Sequence, residues 1–543
     1  MSRVARIPLF CFWFLLLLNL VSNGMVLYLR HTAVVVGGVV GLSVLLSVVE
    51  MLIVRVVSAR FARCGRVLLW LFTAVYVALT VTDAFLIFNF SKIIDQQAVS
   101  LVFSTGSAEA STFFGSYLPW LHIAGYAVLA AAVVALAYFG ARALSSLPRR
   151  AAWLIAAAGS AVGVGYATYM CYGFVRYRNG AEIPTYTSVT RAGYGYMKML
   201  LERRKNAHLL AVCQRAEASA TNPPLYDVVM ILGESYNRSH TPLYGYDKAT
   251  TPHMSAMAAD SSLVVYTDVV TPEDWTEKVL KGLLGMGPDV ENYDSYAIFP
   301  VLLHKAGYYT ALYDNEFLVG TGDHFHADGD LSALTYDFRN SRQYKYDHEM
   351  VGTIELASRP GFYFVHLYGQ HFTYADRYPA GWDRFGPDDY DAGRYNARQR
   401  DVLAAYDNAT LYNDHVVNEV ISRFAGRPAV VVYVSDHGEE VFDCRDYFGH
   451  GNAVSAPDMS PQLRVPMVVW MSPEFMAAQP EKAAAIRAAA SLPLTLNDLG
   501  HYMLDLANVG SPQFDATRSA LSGAYDASRP RIVLSSIDFD APR

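Results

Sequence analysis

Hydrophobic positions are spread unevenly along this chain. Five mostly apolar runs of about 20 residues or more, near 8–28, 32–54, 67–90, 117–141 and 152–174, fill the first third, and none recurs after residue 175. Coiled as helices, runs of that length cross the hydrocarbon core of a bilayer. The pattern therefore predicts a membrane domain of five helices over residues 1–174. The first run reads as an uncleaved anchor rather than a signal peptide, because its apolar core is long and no A-x-A-like site closes it. Between the third and fourth runs, "SKIIDQQAVSLVFSTGSAEASTFFGSYLPW" is amphipathic, with apolar Ile93, Ile94, Val99, Leu101, Val102 and Phe103. It predicts a loop near 91–116 lying on the membrane surface.

Past the last run the pattern changes twice. Residues 175–221 combine a turn-rich start with a helical run from about 190 to 218, which reads as a linker carrying an interfacial helix. From "LYDVVMILGES" onward, short β-branched runs alternate with helical patterns: "SLVVYTDVV", "YYTALYD", "GFYFVHLYG", "AVVVYVSD" and "VPMVVWMS". Short buried strands alternating with helices predict an α/β domain over 222–543, its mostly parallel sheet covered on both faces.

Charge refines this division. The chain holds 43 Lys and Arg against 50 Asp and Glu; 11 and 4 of them fall before residue 175, which leaves 32 and 46, a formal charge of about −14, for the remainder. That balance carries no nucleic-acid footprint. Basic residues cluster in alternate loops, at Arg3 and Arg6, at Arg55, Arg60, Arg63 and Arg66, and at Arg149 and Arg150. The positive-inside rule places those loops and the N-terminus in the cytoplasm, and five spans then put the α/β domain outside. Of five cysteines only Cys213 and Cys444 fall in the exported part, enough for at most one bridge.

Candidate chemistry gathers where strands end. "VVMILGES" closes on Glu234, "VVTPEDWTEKVL" offers Thr271 and Thr276, "FYFVHLYGQH" closes on His371, and "VVVYVSDHGEE" delivers Asp436, His437 and Glu439, with His450 shortly after between two glycines. In open α/β sheets, ligands bind beyond the carboxyl ends of the strands. Carboxylates and imidazoles together suit zinc better than magnesium or calcium, which take oxygen shells. Each residue also has a plainer reading. Glu234 fits a helix start, His371 a satisfied core histidine, and Thr271, followed by Pro272, an N-cap. A threonine hydroxyl at a helix N-terminus is equally a place to stabilise an incoming phosphate.

In order, "GESYNRSHTPLYGYDKATTP", "TPEDWTEKVL", "GQHFTYADRYP", "AAYDNATLYNDHVVNEVI" and "SDHGEEVFDCRDYFGHG", behind five spans, resemble the bacterial phosphoethanolamine transferases. These are inner-membrane enzymes with an exported sulfatase-like domain of the alkaline phosphatase superfamily. The resemblance implies that Glu234, Thr276, Asp436 and His437 hold one Zn2+, with Thr276 as nucleophile. His371, His450, Glu439 and Asn315 would bind substrate or a second Zn2+. It implies transfer of phosphoethanolamine from phosphatidylethanolamine, through a phosphothreonine, to lipopolysaccharide or another lipid-linked periplasmic glycan, by a monomer working among membrane lipids. The lipid A-modifying members, including those that confer polymyxin resistance, carry cysteine pairs that this chain lacks, and "LYDNEFLVGTGD" has no lysine after Asn315 and Glu316. Acceptor identity therefore stays open. The rival readings are a glycerophosphotransferase resembling lipoteichoic acid synthase, a membrane-anchored phosphoester or sulfate-ester hydrolase, and a non-catalytic scaffold. "TPEDWTEKV" lacks the C/S-x-P-x-R context of a sulfatase nucleophile, and a scaffold needs none of the site residues.

Overall fold

The structure, a computed structural model, describes residues 7–28, 33–90, 93–94, 98–99, 120–176, 187–220, 224–316, 329–371, 373–451, 453 and 456–541. Most of the predicted surface loop at 91–116 lies outside them. The chain divides into two compact units, one through Arg203 and the other from Arg204 onward.

Among the described residues the first unit contains five helices long and apolar enough to cross a membrane: α1 (Ile7–Gly24), α2 (Ala33–Arg60), α3 (Ala62–Phe90), α4 (Trp120–Leu144) and α5 (Arg149–Arg176). Lipid offers no hydrophobic force to press such helices together, so close packing and polar contacts must hold them. Both are present. A Cβ on Gly41 of α2 would meet the Gly163 backbone nitrogen of α5 at 2.7 Å, and one on Gly163 would meet Gly41 O at 2.5 Å, so only glycine admits this approach. Glu50, buried in α2, accepts hydrogen bonds from Asn19 Nδ2 of α1 (2.9 Å) and from the Tyr76 hydroxyl of α3. Asp83 of α3 accepts from the Ile94 amide at 2.8 Å and pairs with the buried Arg191 guanidinium. Arg191 lies in the first turn of α6 (Ser188–Arg215), whose Ser188 amide donates to Asn23 Oδ1 at 2.8 Å.

The second unit is built on a seven-stranded sheet: β1 (Asp227–Gly233), β2 (Leu263–Tyr266), β3 (Tyr309–Asp314), β4 (Phe338–Arg339), β5 (Gly361–His366), β6 (Ala429–Ser435) and β7 (Met467–Met471), in the order β2-β7-β6-β1-β5-β3-β4. β6, β1, β5, β3 and β4 run parallel, and β7 is antiparallel to both of its neighbours. Every residue of β1, β5 and β6 is buried, as the continuous apolar runs require of strands covered on both faces. Successive side chains point to opposite faces. Val228, Met230 and Leu232 therefore join one core layer, with Val432, Phe364 and helix α7 (Thr276–Leu284). Val229 and Ile231 join the other, with Val431, Tyr363 and Tyr412, Val416 and Val420 of helix α8 (Ala397–Arg423). "SLVVYTDVV" is broken after Tyr266, because Thr267 N bonds to Ala490 O; Val269–Val270 then pairs with Leu494–Thr495 in a separate ribbon.

Candidate active site

Strand ends on one edge of the sheet assemble the candidate residues. Glu234 follows β1 and is fully buried; the next residue, Ser235, turns the chain at a positive φ of 57°. Two bonds hold this turn: Ser235 N donates to Asp436 Oδ1 (3.2 Å), and Ser235 Oγ donates to Glu234 Oε1 (2.7 Å). The loop after β5 presses against it. Gly369 has a φ of 48°, and a Cβ there would meet Glu234 N at 2.9 Å, so the position requires glycine on both grounds.

Asp436 and His437 follow β6, next to β1 in the sheet, which is why they reach Glu234 across some 200 residues of sequence. Asp436 Oδ1 accepts from Ser235 N and from His437 N (2.6 Å). Its Oδ2 is buried with no hydrogen-bond partner among the described residues and lies 3.3 Å from His437 Nε2. His437 Nδ1 is 2.9 Å from Gly438 O, and since a carbonyl only accepts, Nδ1 carries the hydrogen and Nε2 faces the carboxylates. Burial alone would lower the His437 pKa. The Asp436 and Glu234 carboxylates outweigh it and raise the value to about 9, the signature of a site short of positive charge.

Thr276 opens α7. Its hydroxyl donates to Glu234 Oε2 at 3.0 Å and lies 3.4 Å from His437 Nε2. Thr271 is elsewhere: its amide bonds to Leu463 O, its hydroxyl turns to Glu273 O (3.2 Å), and α7 begins five residues later, so Thr271 caps no helix.

One atom each from Glu234, Asp436 and His437 lie within 4.8 Å of one another, as do atoms of Glu234, Glu316 and His371, and of His437, Glu439 and His450. His450 Nδ1 lies 2.7 Å from Glu439 Oε2, and its ring centroid is 4.2 Å from that of His437. Glu439 is fully buried and also accepts from the Tyr374 hydroxyl. The first group fits a zinc ion by its chemistry: two carboxylates and an imidazole, the Asp436 oxygen without a hydrogen bond, the His437 tautomer fixed by an outer contact, and Thr276 at the edge.

Asn315 has another task. Its Nδ2 donates to Asp347 Oδ1 (2.8 Å) and its Oδ1 accepts from Tyr344 N (2.6 Å), so both ends of the amide are used within the fold. The neighbouring Glu316 enters the cluster instead. It is backed by His366, buried at the end of β5, whose Nε2 lies 3.0 Å from Glu316 Oε2 and whose Nδ1 lies 3.2 Å from Asp314 Oδ1. The sequence pattern gives neither Glu316 nor His366 a site role; the one available signal is a histidine ending a buried strand, "FYFVH". Cys213 is buried, Cys444 is exposed, and neither is in a disulfide among the described residues.

Known proteins resemble this chain in sequence and fold. The chain is 31% identical over 313 residues to the phosphoethanolamine transferase EptC of Escherichia coli, a match covering 55% of this chain and 53% of that protein. It thus spans about half the length of the curated relatives it matches. The C-terminal periplasmic domain of Escherichia coli EcEptC, solved alone, superposes with a TM-score of 0.53 at 28% identity, covering 60% of this chain and 96% of that domain. Solved in complex with Zn, it superposes with a TM-score of 0.51 at 26% identity, covering 58% and 91%. The integral membrane lipooligosaccharide phosphoethanolamine transferase A of Neisseria meningitidis shares the fold over 94% of this chain and 97% of its own, with a TM-score of 0.56 at 16% identity. A family model described as Sulfatase matches residues 226–509, more than half of the chain. The chain belongs to the sulfatase family.

Proposed function

We propose that this protein is a zinc-dependent phosphoethanolamine transferase, taking the group from phosphatidylethanolamine onto Thr276 and passing it to a lipid-linked glycan, with lipopolysaccharide as the acceptor class. The observation that carries this reading is Thr276 Oγ1, held at the N-terminus of α7 against Glu234 Oε2 and beside His437 Nε2. The similarity to a curated phosphoethanolamine transferase supports it.

Glu234, Asp436 and His437, with Thr276, would hold the zinc, which when bound lowers the threonine pKa and offsets charge on the phosphoryl group. The chain's own residues do the rest. Glu234 Oε2 holds the Thr276 hydroxyl hydrogen and so aims an oxygen lone pair at the incoming phosphorus. Attack passes the hydroxyl hydrogen to Glu234, which returns it to Oγ when the acceptor later displaces Thr276; it forms the Oγ–P bond and breaks the bond from phosphorus to the glycerol oxygen, which leaves as diacylglycerol with a proton. His450, oriented through Nδ1 by Glu439, supplies that proton; in the second half it takes one from the acceptor hydroxyl that displaces Thr276. The amides opening α7 favour the phosphate's negative charge.

In this reading residues 1–174 anchor the protein in the bacterial inner membrane with a cytoplasmic N-terminus. Residues 222–543 work in the periplasm as part of a monomer, where both substrates are lipids of the same bilayer. Diacylglycerol release from phosphatidylethanolamine vesicles tests the cycle. Without acceptor, one diacylglycerol per protein is expected; continuous release would mean a hydrolase, and none would sink the donor assignment.

A further inference from the structure

Beside His371 the structure holds a pocket of about 330 Å3 lined in part by Tyr344, Lys345, Tyr346, Tyr368, Asp376 and Arg377. Three tyrosine rings around it each carry a cation: Arg377 lies 4.0 Å over Tyr368, Lys345 4.9 Å over Tyr346 and Arg342 4.7 Å over Tyr344. A guanidinium held over a ring face can still offer N–H groups to a carboxylate or phosphate. The Arg377 Nε is buried and has no hydrogen-bond partner among the described residues. Asp376 is the single carboxylate in the lining among the described residues.

The walls are fixed in place. Asp347 accepts from Asn315 Nδ2 with Oδ1, and from the amides of Tyr368 (2.9 Å) and Gly369 (3.0 Å). Asn315 holds the opposite wall through Tyr344 N and Gln343 Nε2 (2.9 Å to Asn315 O). One ring connects the pocket to the catalytic cluster. Tyr368 stacks nearly parallel to His371, with centroids 5.1 Å apart at 11°, and His371 groups with Glu234 and Glu316.

We propose that this pocket binds an anionic phosphate group on the sugar that accepts the transferred group, with Arg377 and Lys345 as its recognition residues. Cations answer the phosphate, and the Tyr368–His371 stack links the bound sugar to the catalytic cluster. The inference rests on the transferase reading, and a membrane phospholipid headgroup carries the same phosphate chemistry, so the test separates donor from acceptor.

Full-length protein carrying Thr276→Ala is titrated by calorimetry with glucosamine 1-phosphate and with glucosamine. The phosphorylated sugar is expected to bind roughly tenfold or more tightly, and adding Arg377→Gln or, independently, the exposed Lys345→Ala removes that preference. Equal binding of both sugars, or a preference that survives both substitutions, overturns the proposal. The same two substitutions, made with Thr276 intact, are expected to raise the KM for glucosamine 1-phosphate about tenfold. Attachment of phosphoethanolamine to Thr276 from vesicles without acceptor then keeps its normal rate; a matching fall in that rate assigns the pocket to the donor and overturns the acceptor claim. The binding arm needs no turnover. Failure of attachment in the unsubstituted protein would therefore count against the transferase reading alone.

Discussion

Replacing Asp407 by asparagine exchanges one oxygen for an NH2 group at the centre of a buried network. Asp407 Oδ1 takes His240 Nδ1 at 2.7 Å, and Oδ2 takes the hydroxyls of Tyr246 and Tyr390, each at 2.6 Å. An asparagine carbonyl can serve the histidine or the tyrosines but not both, and its NH2 faces a donor on the other side. Hydrogen bonds to a charged partner contribute about 1.5–3 kcal/mol each, and breaking one side of a buried pair costs about 3–5 kcal/mol. At roughly 2 °C per kcal/mol for a unit of this size, Asp407→Asn should lower Tm by about 6–10 °C. The loss should also depend on pH. Burial pulls the His240 pKa down, but the Asp407 carboxylate outweighs it and the net shift is upward. A histidine raised in the folded state stabilises fully below its unfolded value, about 6.5, and that contribution fades as pH rises through the folded value. The gap between the two proteins is therefore widest near pH 6 and narrows in alkali. Thermal scans of tryptophan fluorescence in detergent at pH 6 and pH 9 measure it. A shift below about 2 °C at pH 6, or a gap that widens with pH, would refute the reasoning.

On the proposed ligand set, Asp436→Ala should empty the zinc site while the protein stays folded, and it removes the carboxylate that contributes most to raising the His437 pKa; unchanged zinc by elemental analysis would show the ligand set to be wrong. Gly163→Leu should push α5 off α2, where Gly41 O leaves 2.5 Å for a Cβ. Its Tm in detergent is expected to fall by several degrees, with zinc content unaffected, and a neutral result would mean the helices do not need the contact.

Much of the fold is legible because membrane helices and buried strands write themselves as apolar runs of different length. What is not legible depends on neighbours in space. β3 and β5 lie side by side, which brings Asp314 and Glu316 to His366, but nothing in "LYDNEF" or "FYFVH" announces the partner. The helix after Thr271 illustrates a second limit. A threonine before a proline is good capping chemistry, yet Thr271 N is bonded to Leu463 O, and Pro272 O takes Leu534 N at 2.7 Å. Long-range bonds hold that segment out of a helix, and α7 waits for Thr276. Asn315 shows a third limit, since an asparagine at a strand end suits substrate contact and scaffold equally, and only its two partners decide. The Glu234, Asp436 and His437 set is readable because each closes an unmistakable strand.

The most direct test of the central claim is mass spectrometry of the full-length protein after incubation with phosphatidylethanolamine vesicles and no acceptor. The account predicts a phosphoethanolamine adduct of about 123 Da on the peptide carrying Thr276, absent from Thr276→Ala. Zinc-loaded protein that acquires no adduct, or acquires it on another residue, would contradict it.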